Sequence, residues 1–234
     1  MDGSLGAAQN LLIAALPAED QRRLTGAGHA IHLKPGDILS EPGALSDHVF
    51  FPTGSFISAR AQLSRDTRLD VALVGSEGMV GVSLALGVNT SALQSMVRGG
   101  GLALRVSADA LRREMARSAA LRRGLNRYVC VLLNELAQNA ACSRFHRIDE
   151  RLAKWLLVTR DRAHSDRYHM THDLLAQVLG VRRVGVTVAA TALQRRGLIR
   201  YSRGDIEILD APGLQRTACG CYATNKENYS QILS

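Results

Sequence analysis

The chain lacks any long uninterrupted apolar stretch, and this bears on where the protein works. No run approaches the roughly 20 residues that a membrane-spanning helix needs. Residues 1–10 also lack the cationic start and long apolar centre of a secretory signal peptide. We therefore predict a cytoplasmic protein of one large or two modest domains, with no membrane partner.

Lysine and aromatic residues are scarce, whereas arginine is abundant. The 234 residues include 3 Lys and 26 Arg, aromatic residues make up 4%, and the formal net charge is +8. A basic balance of this kind favours nucleic acid over acidic small molecules as the main electrostatic partner.

Cysteines are few and show no regular spacing. They lie at positions 130, 142, 219 and 221, so only the last two are close in sequence. An iron–sulfur cluster needs converging thiolates, usually with several cysteines near one another in the chain. We interpret these thiols as ordinary side chains of a reducing compartment and expect no metal and no cofactor. A thiol switch at Cys219 and Cys221 stays open as an alternative.

Catalytic motifs are also missing. There is no Walker loop, Gly-x-Gly-x-x-Gly or Ser-His-Asp pattern, and residues 99–101 lack the Lys and Ser/Thr that would follow in a phosphate-binding loop. The alternative is a cupin-like metal-dependent enzyme or small-molecule-binding protein, with His29, His32 and His48 as ligands. The His-x-x-His spacing differs from that of cupin enzymes, and Glu41 does not clearly match their glutamate. We therefore predict that the protein is not an enzyme.

A helix-turn-helix pattern lies near the C-terminal end. Apolar residues recur at helical spacing over 174–179, with Thr171 placed as an N-cap and Gly180 placed to end the helix. A second helix is predicted from about residue 182 to residue 196, with Gly197 as its C-cap. One face of this second helix is apolar and carries Val186, Ala189, Ala190 and Leu193.

A hairpin and a run of arginines complete this region. Two β-prone segments, 198–201 and 206–209, flank the turn-rich residues 202–205. Between Gly180 and Gly204 the chain has no acidic residue and six arginines: Arg182, Arg183, Arg195, Arg196, Arg200 and Arg203. The guanidinium fork can bond guanine O6 and N7, and any cation near a phosphate gains from counterion release. The pattern predicts a winged helix-turn-helix that binds double-stranded DNA, although Arg195, Arg196 and Arg200 also fit ordinary solvated surface.

Upstream, three patterns follow one another. Residues 1–25 predict a short helical lead-in, and the short strand-like runs of 29–106 favour a jelly-roll or sandwich. A long helix is predicted after Ser107. From residue 125 its apolar side chains are spaced as in a coiled-coil seam, at Leu125, Val129, Leu132 and Leu136. The seam predicts a parallel homodimer, and the alternative is a helix that packs on its own barrel.

Two segments resemble a known family. Leu-Ala-Gln-Val-Leu-Gly-Val at 175–181 and Leu-Gln-Arg-Arg-Gly-Leu-Ile at 193–199 are similar to the DNA-binding end of the cyclic AMP receptor/fumarate-nitrate regulator (Crp/Fnr) superfamily of bacterial transcription regulators. The resemblance implies an α+β fold: a jelly-roll barrel of the cyclic-nucleotide-binding type, a dimerisation helix, and a winged helix-turn-helix. The matching boundaries are 1–107 for the barrel domain, 108–144 for the helical linker and dimerisation helix, 145–214 for the DNA-binding domain, and 215–234 for a tail.

The resemblance also implies how DNA is read. A homodimer would place two recognition helices about 34 Å apart, in successive major grooves of a near-palindromic site. We predict base-edge contacts from Arg182, Arg183 and Thr187, with Val184 or Val186 against a thymine methyl. Phosphate contacts are predicted for His172, Thr191, Tyr201 and Arg203, and Thr171 completes the DNA-binding set. Activation would require a surface that contacts RNA polymerase, and no residue of the sequence identifies one.

The effector cassette departs from the family pattern. In cyclic-nucleotide-binding relatives an acidic residue takes the ribose hydroxyl and an Arg-Ser pair takes the phosphate. Val82 stands at the place of the acid, with Ser91 and Ala92 near the place of the pair, so neither partner is supplied. We predict that cyclic AMP is not bound in the usual way, and an unknown small-molecule effector is left open. The candidate effector-binding residues are Glu77, Gly81, Val82, Ser83, Ser91 and Arg98.

Overall fold

The computed structural model describes residues 9–64 and 67–233. Within these residues the helices are α1 (Leu11–Ala14), α2 (Ala18–Gly26), α3 (Val82–Ala85), α4 (Ala108–Arg117), α5 (Ala119–Phe145), α6 (Ile148–Ala163), α7 (His172–Leu179), α8 (Arg183–Arg195), α9 (Ala211–Thr217) and α10 (Cys221–Leu233). The strands are β1 (Gly28–Leu33), β2 (Ile38–Ser40), β3 (His48–Pro52), β4 (Phe56–Gln62), β5 (Arg68–Val74), β6 (Gln94–Gly99), β7 (Gly101–Ser107), β8 (Arg167–His169), β9 (Ile199–Ser202) and β10 (Asp205–Ile208).

The N-terminal half is an antiparallel β-structure of two sheets. Their strand orders are β1-β7-β3 and β2-β6-β4-β5. Phe50 of the first sheet and Ile57, Val74 and Val97 of the second belong to one buried cluster, so the inner faces of the sheets pack on each other. The strand-rich region predicted between residues 29 and 106 is confirmed.

The helical segment after the barrel is two helices, separated at Ser118. Ser118 has extended backbone, and its hydroxyl accepts the Leu121 N–H at 2.9 Å, so it is the N-cap of α5. The same hydroxyl donates to Asp20 of α2 at 2.5 Å. Helix α5 runs for 27 residues, which corresponds to about 40 Å.

The predicted seam of α5 faces the chain's own barrel domain. Leu125 is buried in one cluster with Leu84 and Leu111. The other members of the predicted seam are half-buried: Val129, Leu132 and Leu136. The assignment of Leu125 to a dimer interface is therefore corrected, because an apolar period shows that a face is covered but not which partner covers it. The face that α5 leaves open carries Cys130, Leu133, Ala137 and Ala141.

The C-terminal half is built around α6. Leu152, Leu156 and Leu157 on this helix are buried in a cluster that also includes residues of α7, α8 and the small sheet β8-β10-β9. The predicted boundary at 214/215 falls inside α9, and α10 returns to pack on α5. Tyr229 of α10 donates to Glu135 of α5 at 3.1 Å, so the predicted tail is helical and docked.

Side-chain contacts join the barrel domain to the C-terminal half. Arg162 of α6 lies 2.7 Å from Glu77, measured between Nε and Oε1. Arg60 of β4 donates to the Gln177 side chain of α7 at 3.4 Å. Ser76 Oγ and His164 Nε2 lie 3.2 Å apart. The C-terminal half is thus held against the barrel domain through both α6 and α7.

No single helix in the described ranges is long and apolar enough to cross a membrane. Helices α7 and α8 pass that test of length and composition only as a pair, and the pair is bent by 107°.

Candidate nucleic-acid interface

Local sequence signals set the geometry of α7 and α8. The Thr171 hydroxyl accepts the Leu174 N–H at 3.2 Å and caps α7. Gly180 ends α7 with φ +61°, a left-handed conformation that glycine adopts without steric cost. The chain then turns into α8 at 107° to α7, an angle typical of helix-turn-helix motifs. The N-cap and the terminating glycine predicted from the sequence are confirmed.

Helix α8 has one buried face and one open face. Its buried residues are those predicted: Val186, Ala189, Ala190 and Leu193. The exposed residues of the opposite face are Arg183, Val184, Thr187, Val188 and Thr191. Val186 is fully buried, so its predicted alternative role against a thymine methyl is wrong. Val184 and Val188 are each 66% exposed, one helical turn apart, and form an apolar strip on the open face.

The two arginines at the start of α8 lie at the edge of this open face. Arg182 has extended backbone and precedes the first turn, and Arg183 is the first helical residue. Arg183 Nε lies 3.3 Å from Asp173 Oδ1 on α7, and both side chains are mostly exposed. An exposed ion pair contributes little to stability, so the Arg183 guanidinium can leave Asp173 and bind another acceptor at a small cost in free energy.

Acidic residues outside the arginine-rich segment neutralise part of it. Glu207 of β10 binds both Arg167 and Arg200, and its pKa is lowered, first by the Arg167 hydrogen bond. Arg196 donates to Thr217 Oγ1 at 2.9 Å. Arg200 and Arg196 therefore have partners within the domain, in agreement with the alternative that they are ordinary surface.

His172 occupies a supporting position behind the open face. Its ring stacks on Tyr201 at 4.2 Å between centroids, and Nδ1 lies 3.1 Å from Thr187 Oγ1. Burial lowers the pKa of His172, and the nearby Arg183 charge lowers it further. This position suits a role in placing Thr187 and Tyr201, and the predicted phosphate contact of His172 stays a prediction.

The wing is a tight hairpin next to α8. Strands β9 and β10 pair antiparallel, with Ser202 opposite Asp205. Arg203 and Gly204 have φ of +52° and +93°, the left-handed pair that a two-residue turn of type I′ requires. The exposed Arg203 side chain stands at the tip. The sequence missed β8, which pairs with β10 and is only three residues long.

The candidate effector-binding residues lie in separate places and contact other parts of the protein. Glu77 pairs with Arg162 and also accepts the Gly75 N–H at 2.9 Å. Arg98 donates to Ser58 and pairs with Asp70 inside the barrel, and Ser91 closes a local turn with Leu93. The remaining three candidates start the short helix α3: Gly81, Val82 and Ser83. Glu77 and Arg98, the two charged candidates, thus already have protein partners.

A cavity of about 790 Å³ lies between α1, α5, α6 and α10. Its apolar wall includes Leu12 and Leu16, and its polar lining includes Arg162, Asn225 and Tyr229. Asn225 is buried, and neither its Nδ2 nor its Oδ1 has a hydrogen-bond partner among the described residues. Buried amides are normally satisfied, so this side chain has unused hydrogen-bonding capacity at the cavity wall.

The histidines and cysteines are arranged differently from the sequence expectation. His29 and His32 are exposed on β1 and His48 is half-buried on β3. In the described residues, the one potential metal-binding group of three or more His, Cys, Asp or Glu side chains lies elsewhere: Cys142, His146, Cys219 and Cys221. Cys142, Cys219 and Cys221 thus converge from positions far apart in the chain, which their spacing in the sequence does not indicate.

Known proteins share the fold of this chain and its helix-turn-helix. Residues 150–217 match the family model described as a Crp-like helix-turn-helix domain. No curated protein matched the chain. Among solved structures, FixK2 from Bradyrhizobium japonicum is similar with a TM-score of 0.70 and 14% identity, covering 82% of this chain and 98% of that one.

Two further structures give the same result. A putative Crp/Fnr-family regulator from Eubacterium rectale has a TM-score of 0.67 at 19% identity, with coverage of 88% and 97% of this chain and that one. The Crp/Fnr-family regulator TTHA1359 from Thermus thermophilus has a TM-score of 0.68 at 22% identity, with coverage of 81% and 98%. The predicted α+β architecture of barrel, long helix and winged helix-turn-helix is confirmed, and residues 150–217 are similar to the Crp-like helix-turn-helix domain.

Proposed function

We propose that the protein is a homodimeric transcription regulator that reads a near-palindromic DNA site with α8. The observation that carries this proposal is the open face of α8, which has two arginines at its start and an exposed apolar strip along it. Two such helices about 34 Å apart fit successive major grooves on one side of the duplex.

The open face divides into groups with different DNA partners. Arg182 and Arg183 suit guanine, because their guanidinium forks match the O6 and N7 acceptors. Val184 and Val188 suit thymine methyl groups, since they are apolar and exposed one turn apart. Thr187, placed beside His172, adds a hydroxyl that can donate to or accept from a base edge.

Phosphate contacts fit the periphery of this face. Thr191 lies further along α8, and Arg203 stands at the wing tip. Thr171 and Tyr201 flank the start of α7, where the helix dipole favours a phosphate. These contacts fix the register of the protein on DNA and contribute affinity without sequence preference.

The dimer interface fits the open stripe of α5. Cys130, Leu133, Ala137 and Ala141 recur every three or four residues on the side away from the barrel. Leu133 is 62% exposed in the single chain, and small alanine side chains allow close approach of two helices. Pairing through this stripe would leave the barrel-facing side of α5 as it is.

Control by an effector fits the junction between the domains better than the barrel interior. The 790 Å³ cavity touches α5, α6 and α10, and Asn225 offers an amide to a ligand with an apolar body. A ligand there would shift the population of DNA-binding-domain positions, because α6 forms one wall. Gly124→Phe tests this, because Gly124 lines the cavity and a side chain there meets open space. The variant should fold and block the cavity. A small molecule that mass spectrometry identifies in the purified wild-type protein should then be lost from the variant.

Selection from a randomised duplex library at two salt concentrations tests the DNA-binding proposal. A two-fold symmetric motif is expected. Arg183→Ala should relax the preference at one base pair per half-site, whereas Arg203→Ala should weaken binding on all sequences and reduce the salt dependence. Arg113→Ala, an exposed arginine of α4, removes the same charge and should change neither property. Salt-sensitive retention with no motif would contradict sequence-specific reading by the free protein.

A further inference from the structure

Three cysteines and one histidine form a compact cluster where the dimerisation helix meets the DNA-binding domain. Cys142 lies in the last turn of α5, and His146 ends that helix. Cys219 and Cys221 flank Gly220 between α9 and α10. One ligand atom from each of the four lies within 4.8 Å of the other three. We name this group the Cys-His cluster.

The separations within the Cys-His cluster suit one tetrahedral ion. Zinc bonds of about 2.3 Å to sulfur and about 2.0 Å to nitrogen place tetrahedral ligands about 3.8 Å apart for two sulfurs and about 3.5 Å apart for sulfur and nitrogen. Cys142 Sγ lies 3.5 Å from Cys219 Sγ, and Cys221 Sγ lies 3.5 Å from His146 Nδ1. A multi-iron cluster contains additional iron and sulfide ions between its thiolates, so this small space fits a single ion.

The ligands come as two pairs, one from each of two distant parts of the chain. Cys142 and His146 are four residues apart, so one helical turn brings their side chains to the same face. Cys219-Gly220-Cys221 brings two thiols close together in a short loop. Two such pairs from distant parts of the chain are the usual composition of a closed structural zinc site.

The Cys-His cluster is enclosed by the protein. Its three cysteines are buried, and His146 is half-buried. The Gln138 amide donates to Cys221 Sγ at 3.0 Å, an outer contact that holds a ligand in place. Lys154 is buried on α6, donates to the Asn139 side chain and interacts electrostatically with Cys142. Three thiolates, a neutral imidazole and a divalent ion sum to a charge of −1, which the Lys154 ammonium would offset.

We propose that the Cys-His cluster is a zinc site that fastens the α9–α10 turn to the end of α5. His146 and Arg147 connect α5 to α6, so this position is the junction between the two halves. Bonds from one ion to His146, Cys219 and Cys221 would fix where α6 leaves α5. The metal would thereby fix the position of the winged helix-turn-helix relative to the dimer helix.

Metal analysis of the full-length protein tests the proposal. Reduced protein, desalted after expression with zinc, is expected to carry about one zinc per chain. Cys130→Ser is the matched control, because Cys130 is exposed and outside the cluster, and it should keep the metal. Cys221→Ser should lose it. Retention of the same stoichiometry in Cys221→Ser would overturn the site.

A second measurement needs no variant. Metal-free wild-type protein, shown to be folded by circular dichroism, is titrated with Co²⁺ and then with Zn²⁺. Tetrahedral thiolate coordination gives intense visible Co²⁺ absorption, which Zn²⁺ should displace. Absence of this absorption, or a Cys142–Cys219 disulfide whose reduction gives no metal binding, would overturn the proposal. Hydrogen exchange at residues 142–150 and 217–222 should slow when zinc is added, and no slowing would contradict the fastening role. These measurements use no DNA, so their outcome is independent of the proposed function.

Discussion

At the residue scale, the barrel contains a buried carboxylate shared by two arginines. Asp70 accepts from Arg60 Nε at 2.7 Å and from Arg98 Nη2 at 2.5 Å, and its side chain is 1% exposed. Burial raises the pKa of Asp70, whereas the Arg60 hydrogen bond opposes that rise. Removing the carboxylate would leave two positive charges together in a poorly hydrated place.

Asp70→Ala should therefore destabilise the protein by about 3–5 kcal/mol, as expected when one partner of a buried ion pair is lost. Urea unfolding followed by circular dichroism measures the change. Asp109→Ala is the matched control, because Asp109 pairs with Arg112 at the surface and should change stability by less than about 1 kcal/mol. Equal effects of the two substitutions would show that burial of Asp70 has no energetic consequence.

His172 gives a pH-dependent signal from the DNA-binding domain. Its folded pKa is lowered below the ordinary value, first by burial, so the unfolded chain takes up this proton more readily. Stability linked to the neutral ring is thus fully present above about pH 6.5 and decreases as the pH falls through the lower folded value. The imidazole resonances of His172 should titrate with a midpoint below 6.5.

Tyr201→Ala tests whether burial under the Tyr201 ring lowers the pKa of His172. It removes the ring that covers His172, so the midpoint should move back towards the ordinary value of about 6.5. If the midpoint in the wild-type protein is already at the ordinary value, the neutral, supporting role of His172 is wrong.

At the element scale, the sequence predicted those features that depend on near neighbours. The Thr171 cap acts over three residues, and Gly180 and Gly197 adopt positive φ because the chain must turn there. The Cys-His cluster was missed because Cys142 and Cys219 are 77 residues apart and no periodic signal links them.

The role of α5 was predicted only in part for a similar reason. The four-three-four spacing from Leu125 correctly indicates a helix with a covered face. It does not indicate what covers that face, and the docking of α5 on the barrel is a matter of tertiary packing. The open stripe around Leu133 contains one large apolar residue and small alanines, which gives a weak hydropathy signal.

If the protein dimerises through the open stripe of α5 as proposed, Leu133→Glu should give a folded monomer. Leu133 is exposed in the single chain, so a charge there costs little until two copies meet. Sedimentation equilibrium measures the mass, and circular dichroism measures the fold. Leu45→Glu introduces the same charge at another exposed leucine and should leave the mass unchanged. A Leu133→Glu protein that remains dimeric would place the interface on another surface.

At the scale of the whole molecule, the contacts between the two halves would decide how the two α8 helices of the proposed dimer are spaced. Arg162 links α6 to Glu77, and α10 packs on α5, so each DNA-binding domain is held by its own barrel and helix. Two domains held in this way would move as parts of a dimer rather than as independent modules. DNA binding should then depend on the distance and the rotation between half-sites.

The spacing of the operator provides the test. Inserting about five base pairs at the centre of a selected near-palindromic site turns the second half-site to the opposite side of the duplex, because one turn contains about 10.5 base pairs. Affinity measured by fluorescence anisotropy should fall to that of a duplex with one half-site. Replacing the central bases without changing their number controls for base composition and should retain most of the affinity. If binding tolerates the insertion, the two α8 helices are flexibly tethered, and the contacts of Arg162 and α10 do not fix their spacing.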